Sequence, residues 1–148
     1  MAERRGSGLQ ILLHGFKSRF HLSLSKKVRP KGVAMALEKS ERPWGRYEVL
    51  QESSTHKVKC IWVEPGKRLS YQRHAKRAEH WFIVQGSALV TIDGKERTVG
   101  PGETVEFGIG VLHRLENIGN DEVIFVEVQT GSYFGEDDIE RIEDDFNR

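Results

Sequence analysis

Four side chains able to bind a first-row divalent ion sit at a spacing that can make them a set. The stretch PGKRLSYQRHAKRAEHWFIVQG carries Gln72, His74 and Glu79, and GPGETVEFGIGVLHRLEN carries His113. Imidazole, carboxylate and amide oxygen are all competent ligands for such an ion. Gln72 and His74 are two residues apart, so on a strand both point to one face. Glu79 begins the next apolar run after a polar turn, and His113 arrives from a distant strand. A site of this kind exists only after tertiary closure. Its chemistry would be that of a Lewis acid: a single carboxylate leaves a doubly charged ion with net positive charge. Gln72 fills a ligand position without adding negative charge.

The elements that must position these groups read as strands. From Arg42 onward, short alternating or apolar runs recur: GRYEVLQE, HKVKCIWVE, RLSYQRH, EHWFIVQ, SALVTIDG, TVEF, VLHRLEN and EVIFVEVQ. Turn chemistry separates them at Pro65-Gly66, Gly86, Asp93-Gly94, Gly100-Pro101-Gly102 and Gly119-Asn120-Asp121. Many short strands at intervals of ~8–12 residues predict a sandwich or small barrel. Asp93-Gly94 is a two-residue hairpin signal. The chain closes with GEDDIERIEDDFNR, where early acidic residues suit a helix N-terminus. Ile139, Ile142 and Phe146 would give that short helix one apolar face.

Length and charge set outer bounds. A chain of 148 residues suits one domain with a real core. With 23 Lys+Arg against 22 Asp+Glu, net charge points to neither nucleic acid nor membrane. No stretch approaches the roughly 18–20 apolar residues that span a bilayer. A lone Cys60 cannot form an intrachain disulfide, which fits a reducing, cytoplasmic setting, and its apolar surroundings favour a buried small hydrophobe. The near balance hides a division, because residues 1–39 carry nine Lys/Arg and two Asp/Glu. This basic, Ser-rich extension has three open readings: a tail or stretch ahead of a true start at Met35, an added helix, or a targeting segment. The domain itself is expected over residues 40–148.

At the ligand stretches the chain resembles the cupin superfamily. The first cupin motif reads Gly66, Gln72, His74, Glu79, Gly86, with Gln where a first His is usual. The second reads Gly102, Gly108, Gly110, His113, Asn117. More narrowly, Arg42 to Arg148 is similar to the isomerase domain of type II phosphomannose isomerases, often fused behind a mannose-1-phosphate guanylyltransferase. The pieces that carry this likeness are RPWG, KVK, PGKRLSYQRH, EHW, HRLEN and EVQTGSYFGEDDIERIEDDFNR. Ala75 and Lys76 stand where the family usually continues with His. The resemblance implies an all-β fold, a double-stranded β-helix or jelly-roll barrel with a short C-terminal helix. It also implies a homodimer, one divalent metal (Zn, Mn, Co or Fe), and interconversion of mannose 6-phosphate and fructose 6-phosphate through an enediolate.

For that substrate, cations must meet a phosphate. Arg68 shares parity with Ser70, Gln72 and His74 and is a candidate for both catalysis and phosphate binding. Arg114, beside His113, and Lys67, in a turn, are further candidates for substrate contact, while Arg77 is expected to be solvated. Glu127 is the candidate proton shuttle if Phe125, Glu127 and Gln129 face the cavity, and a plain surface residue if they do not. His80 should point outward, Trp81 has ligand parity, and Trp62 and Phe82 are expected in the core. Two rival readings stay open. One is a metal-dependent dioxygenase using His74, Glu79 and His113, and the other a sugar-phosphate-binding cupin without turnover.

Overall fold

A computed structural model describes residues 36–148 of the chain, so the open readings of the basic extension fall almost wholly outside the described residues. Eleven strands and one 3-10 turn make up the regular structure of this region. They are β1 (Glu38–Arg42), β2 (Gly45–Glu52), β3 (His56–Val63), β4 (Tyr71–His74), β5 (Arg77–Gln85), β6 (Ala88–Ile92), β7 (Lys95–Val99), β8 (Thr104–Phe107), β9 (His113–Asn117), β10 (Val123–Gly131) and β11 (Ile139–Glu143). They form two antiparallel sheets, a six-stranded one in the order β1-β2-β3-β10-β5-β8 and a five-stranded one in the order β11-β4-β9-β6-β7. β6 and β7 form the Asp93-Gly94 hairpin, both turn residues at positive φ as such a turn requires.

Strand alternation sorts the interior along its length. In register, Val63 opposes Val123 and Ile61 opposes Phe125, and all four are buried. Further along the same two strands, Lys59 opposes Glu127 and Lys57 opposes Gln129, again all buried. β5 repeats the change from Ile83 through Trp81 to Glu79 and Arg77, and β9 repeats it from Leu115 to His113. One end of the interior is therefore a hydrocarbon core. The other is polar, and that end carries every sequence-predicted metal ligand.

The outer face of the six-stranded sheet is also apolar at its centre. Val58, Cys60 and Trp62 on β3 lie beside Ile124, Val126 and Val128 on β10, with Phe82 next in register on β5. Phe82 is 44% exposed and Val84 47%, and Trp62 lies under the Arg46 guanidinium at 4.6 Å. Trp62 and Phe82 are thus not core residues. Both of their strands carry apolar side chains on each face, so alternation alone could not assign the inner one. Cys60 shares this outer face, half-buried, and burial raises its thiol pKa.

The C-terminal segment differs from expectation. In place of a helix there is a single 3-10 turn at Glu136–Asp138, followed by β11 paired with β4. Without β11, β4 would be an open sheet edge, and edge pairing outweighs the local helical pattern of IERIEDDF. Ion pairs fix the pairing: Arg73 with Glu140, Arg114 with Glu143, and Arg68 with Asp145. The register slips between Arg141 and Glu143, so Ile142 is bulged out and 50% exposed. Phe146 still packs on the core.

Gly45 opens β2 at φ +141°, and a Cβ there would collide with the Trp62 carbonyl oxygen. Gly94 sits at φ +78° with open space where a Cβ would go. In thermal unfolding, Gly45→Ala should therefore destabilise the domain by ~2–3 kcal/mol and Gly94→Ala by only about 1 kcal/mol.

Candidate metal centre

His74 ends β4, Glu79 lies inside β5, and His113 opens β9. Their ligating atoms lie within 4.8 Å of one another, and all three residues are buried. His74 Nε2 stands 3.0 Å from Glu79 Oε1, and His113 Nε2 stands 3.4 Å from Glu79 Oε2. Neither Nε2 is in hydrogen-bond alignment with any partner among the described residues. His113 Nδ1 donates to the Val111 carbonyl at 2.9 Å. That bond places the proton on Nδ1 and leaves the Nε2 lone pair aimed at Glu79. Buried imidazole nitrogens and a carboxylate converging without aligned partners are costly unless a cation joins them. The donor set therefore fits a divalent metal ion, with Nε2 of each histidine and a Glu79 oxygen as ligands.

Packing holds these groups in place. The His113 ring stacks on Phe107 with centroids 4.3 Å apart, and Trp81 meets both rings edge-on. Trp81, wholly buried, donates from Nε1 to Glu79 Oε2 at 3.2 Å and to Glu127 Oε2 at 3.0 Å. Its ligand parity thus reflects a role in binding both carboxylates. Gln129 Nε2 bridges the same pair, at 3.0 Å to Glu79 Oε1 and 2.7 Å to Glu127 Oε1. Burial alone would push the Glu79 carboxyl up, but the imidazoles of His113 and His74 outweigh it and hold it well below the usual carboxylate range. Glu127 moves the other way: burial, reinforced by the charge of Glu79, pushes its pKa up to about 7.

The predicted residues separate into two groups. Gln72 is the register partner of His113, so it shares that face, and its Oε1 accepts from Ser70 Oγ at 2.6 Å. Gln72, Glu79 and Glu127 line one partly open cavity between the sheets. Glu127 faces inward, which resolves the question its alternation left open. Arg68 does not join them. It makes a bidentate pair with Asp145 at 2.7 and 2.8 Å, away from the cavity lining. Its parity with Ser70 fails because β4 begins only at Tyr71, and Leu69 and Ser70 are both buried in succession. Arg114 points away from His113 and pairs with Glu143 at 2.8 Å, and Lys67 is exposed in its turn. His80 is outward, beside Glu106.

Three further polar residues of the site carried no assigned role in the sequence. Arg77, expected to be solvated, is 1% exposed and donates to Glu79 Oε1 at 3.3 Å and to the Gly135 carbonyl at 2.9 Å. Lys59 is buried and pairs with Glu136 at 2.8 Å; burial opposes its charge, but Glu127 and Glu136 outweigh that and raise its pKa. Gln129 is the third. A signal existed for Lys59: it alternates with Ile61 and Val63, although Cys60 and Trp62 on the other face read equally apolar.

Fold and site together define a cupin, and known structures agree. The capsular polysaccharide assembling protein CapF of Staphylococcus aureus superposes with a TM-score of 0.65 over 72% of this chain and 32% of its own, at 17% identity. A double-stranded β-helix domain protein of Klebsiella pneumoniae gives 0.59 over 66% of this chain and 83% of its own, at 21% identity. Sequence narrows the class further. Residues 31–144 match the family described as mannose-6-phosphate isomerase, C-terminal, and the chain belongs to that family. Among its relatives, the alginate biosynthesis protein AlgA of Pseudomonas aeruginosa is 47% identical over 107 residues, 72% of this chain and 22% of AlgA. The mannose-1-phosphate guanylyltransferase ManC of Salmonella typhimurium is 44% identical with the same coverage. The chain thus spans about a fifth of the length of these curated relatives.

If the three acceptors hold an ion, adding Zn²⁺ or Mn²⁺ to chelator-treated protein should raise its melting temperature. At a hundredfold excess over the dissociation constant the gain is about 2.7 kcal/mol. His113→Ala should abolish that gain and the bound metal measured by elemental analysis.

Proposed function

We propose that this domain interconverts mannose 6-phosphate and fructose 6-phosphate, using one divalent ion held by Gln72, His74, Glu79 and His113. The observation that carries the reading is the position of Glu127. A second carboxylate, buried and joined to Glu79 through Trp81 and Gln129, lines the same cavity as Gln72 and Glu79. A cavity between the sheets gives a small sugar phosphate a place to lie, and membership of the family supports the choice of hexose.

An aldose becomes a ketose by moving one proton from C2 to C1 and one from O2 to O1, with no net oxidation. A bound ion would supply Lewis-acid stabilisation of the negative charge that develops on the sugar oxygen. Glu127 as carboxylate accepts the C2 proton and, now neutral, returns it to C1 of the enediolate. Trp81 and Gln129 each donate to one of its oxygens, so the carboxylate stays oriented through both transfers. Arg77 donates to Glu79 Oε1 and holds it from behind. Burial excludes bulk water that would exchange the transferred proton.

A coupled assay on metal-loaded protein should show turnover of mannose 6-phosphate that is lost with chelator. Glu127→Gln should lower kcat by about 10²–10⁴-fold while leaving the metal content intact. Metal-loaded wild type that binds the sugar phosphate without converting it would sink the isomerase reading.

A further inference from the structure

The cavity carries more positive charge than its own carboxylates answer. Arg42, Lys59, Arg77, Arg141 and Arg148 line it, against Glu79, Glu127 and Glu136. Lys59 and Arg77 are committed to Glu136 and Glu79. Arg148 shares its guanidinium with Asp144 at 2.9 and 3.1 Å. Arg42 reaches only the Tyr47 hydroxyl at 3.2 Å, lying over that ring, and makes no ion pair among the described residues. Arg141 is more exceptional: its Nε is buried with no hydrogen-bond partner among the described residues, and no carboxylate is paired to it. Burial and the neighbouring charge of Arg148 lower its pKa, with Arg42 acting in the same sense.

Register gives Arg141 its direction. It pairs across β11–β4 with Gln72, which pairs across β4–β9 with His113, so the three side chains stand in a row on one inner face. Two strand spacings, about 10 Å, separate the backbone of Arg141 from that of His113. A guanidinium fork matches the oxygens of a phosphate monoester in a bidentate way. Unsatisfied, mutually repelling arginines in a cavity are what a dianion would relieve.

We propose that Arg141, with Arg42 and Arg148 beside it, holds the phosphate group of the sugar phosphate at the end of the cavity away from the metal ligands. This rests on the reading of the site as one for a sugar phosphate, and it moves phosphate recognition from Lys67, Arg68 and Arg114 to the inner face of the C-terminal strand. β11 then has a chemical task besides covering the edge of β4: its outward Glu140 grips Arg73 while its inward Arg141 meets the ligand.

Two measurements on metal-loaded protein test it. Isothermal titration with inorganic phosphate should show binding that Arg141→Gln weakens about ten- to hundredfold, the loss expected for one charge-assisted contact. The same variant should raise KM for mannose 6-phosphate by a similar factor with kcat changed only a few-fold. Arg141→Lys should restore part of both, and Lys95→Gln, an exposed cation on β7 at the opposite edge of the sheet, should change neither. Should Arg141→Gln fail to fold, Arg42→Gln carries the same two measurements with the same expected direction. Phosphate affinity and KM unchanged in the folded variant overturn the clamp, even if the isomerase is active. Arg141-dependent phosphate binding without turnover upholds the clamp and removes only the isomerase reading.

Discussion

Two imidazole nitrogens and a carboxylate, all shut away from water, face a common point at the polar end of the sheet interior. Each Nε2 stands within 3.4 Å of Glu79, yet neither is in hydrogen-bond alignment with it. The surrounding structure is arranged to keep them there. Val111 fixes the His113 tautomer, Phe107 and Trp81 fix its ring, and Arg77 with Trp81 and Gln129 orients Glu79. A cation at the common point would turn this unfavourable convergence into the strongest set of contacts in the domain.

Around that point the polar residues form a graded system. Lys59, Arg77, Gln129, Glu79 and Glu127 are all nearly or wholly buried, which is tolerable only because each is paired or hydrogen-bonded. The surroundings push the two carboxylates apart in acidity: His113 and His74 hold Glu79 ionised against burial, while burial and the charge of Glu79 raise Glu127 towards neutrality. Two carboxylates with divergent pKa values suit one to a fixed charge and the other to proton transfer. Family membership gives this separation a plausible use.

Much of this was legible in residue order. Alternating runs and turn residues predicted an all-β fold, and the spacing of His74, Glu79 and His113 identified three groups that do converge. Parity also placed Gln72 on the face of His74, where the structure makes it the register partner of His113, and Trp81 with the ligand face. Parity failed where its premise failed. Arg68 lies before β4 begins, so counting by twos from Gln72 carried it to a face it does not occupy. The C-terminal pattern of Ile139, Ile142 and Phe146 suits a helix equally well, and local periodicity holds no information about a vacant sheet edge nearby.

The order of the amino acids thus determined which groups are present, the period on which they repeat, and so the class of fold and the identity of three side chains that converge. Tertiary structure alone decided which of two apolar strand faces turned inward, and with it whether Glu127, Lys59 and Gln129 met the site or the solvent. It also brought Arg141 to the cavity, through a pairing of strands separated by 67 residues at Arg73 and Glu140. The physical reason is that alternation fixes relative sidedness within a strand, whereas the choice of side is made by long-range pairing, sheet against sheet.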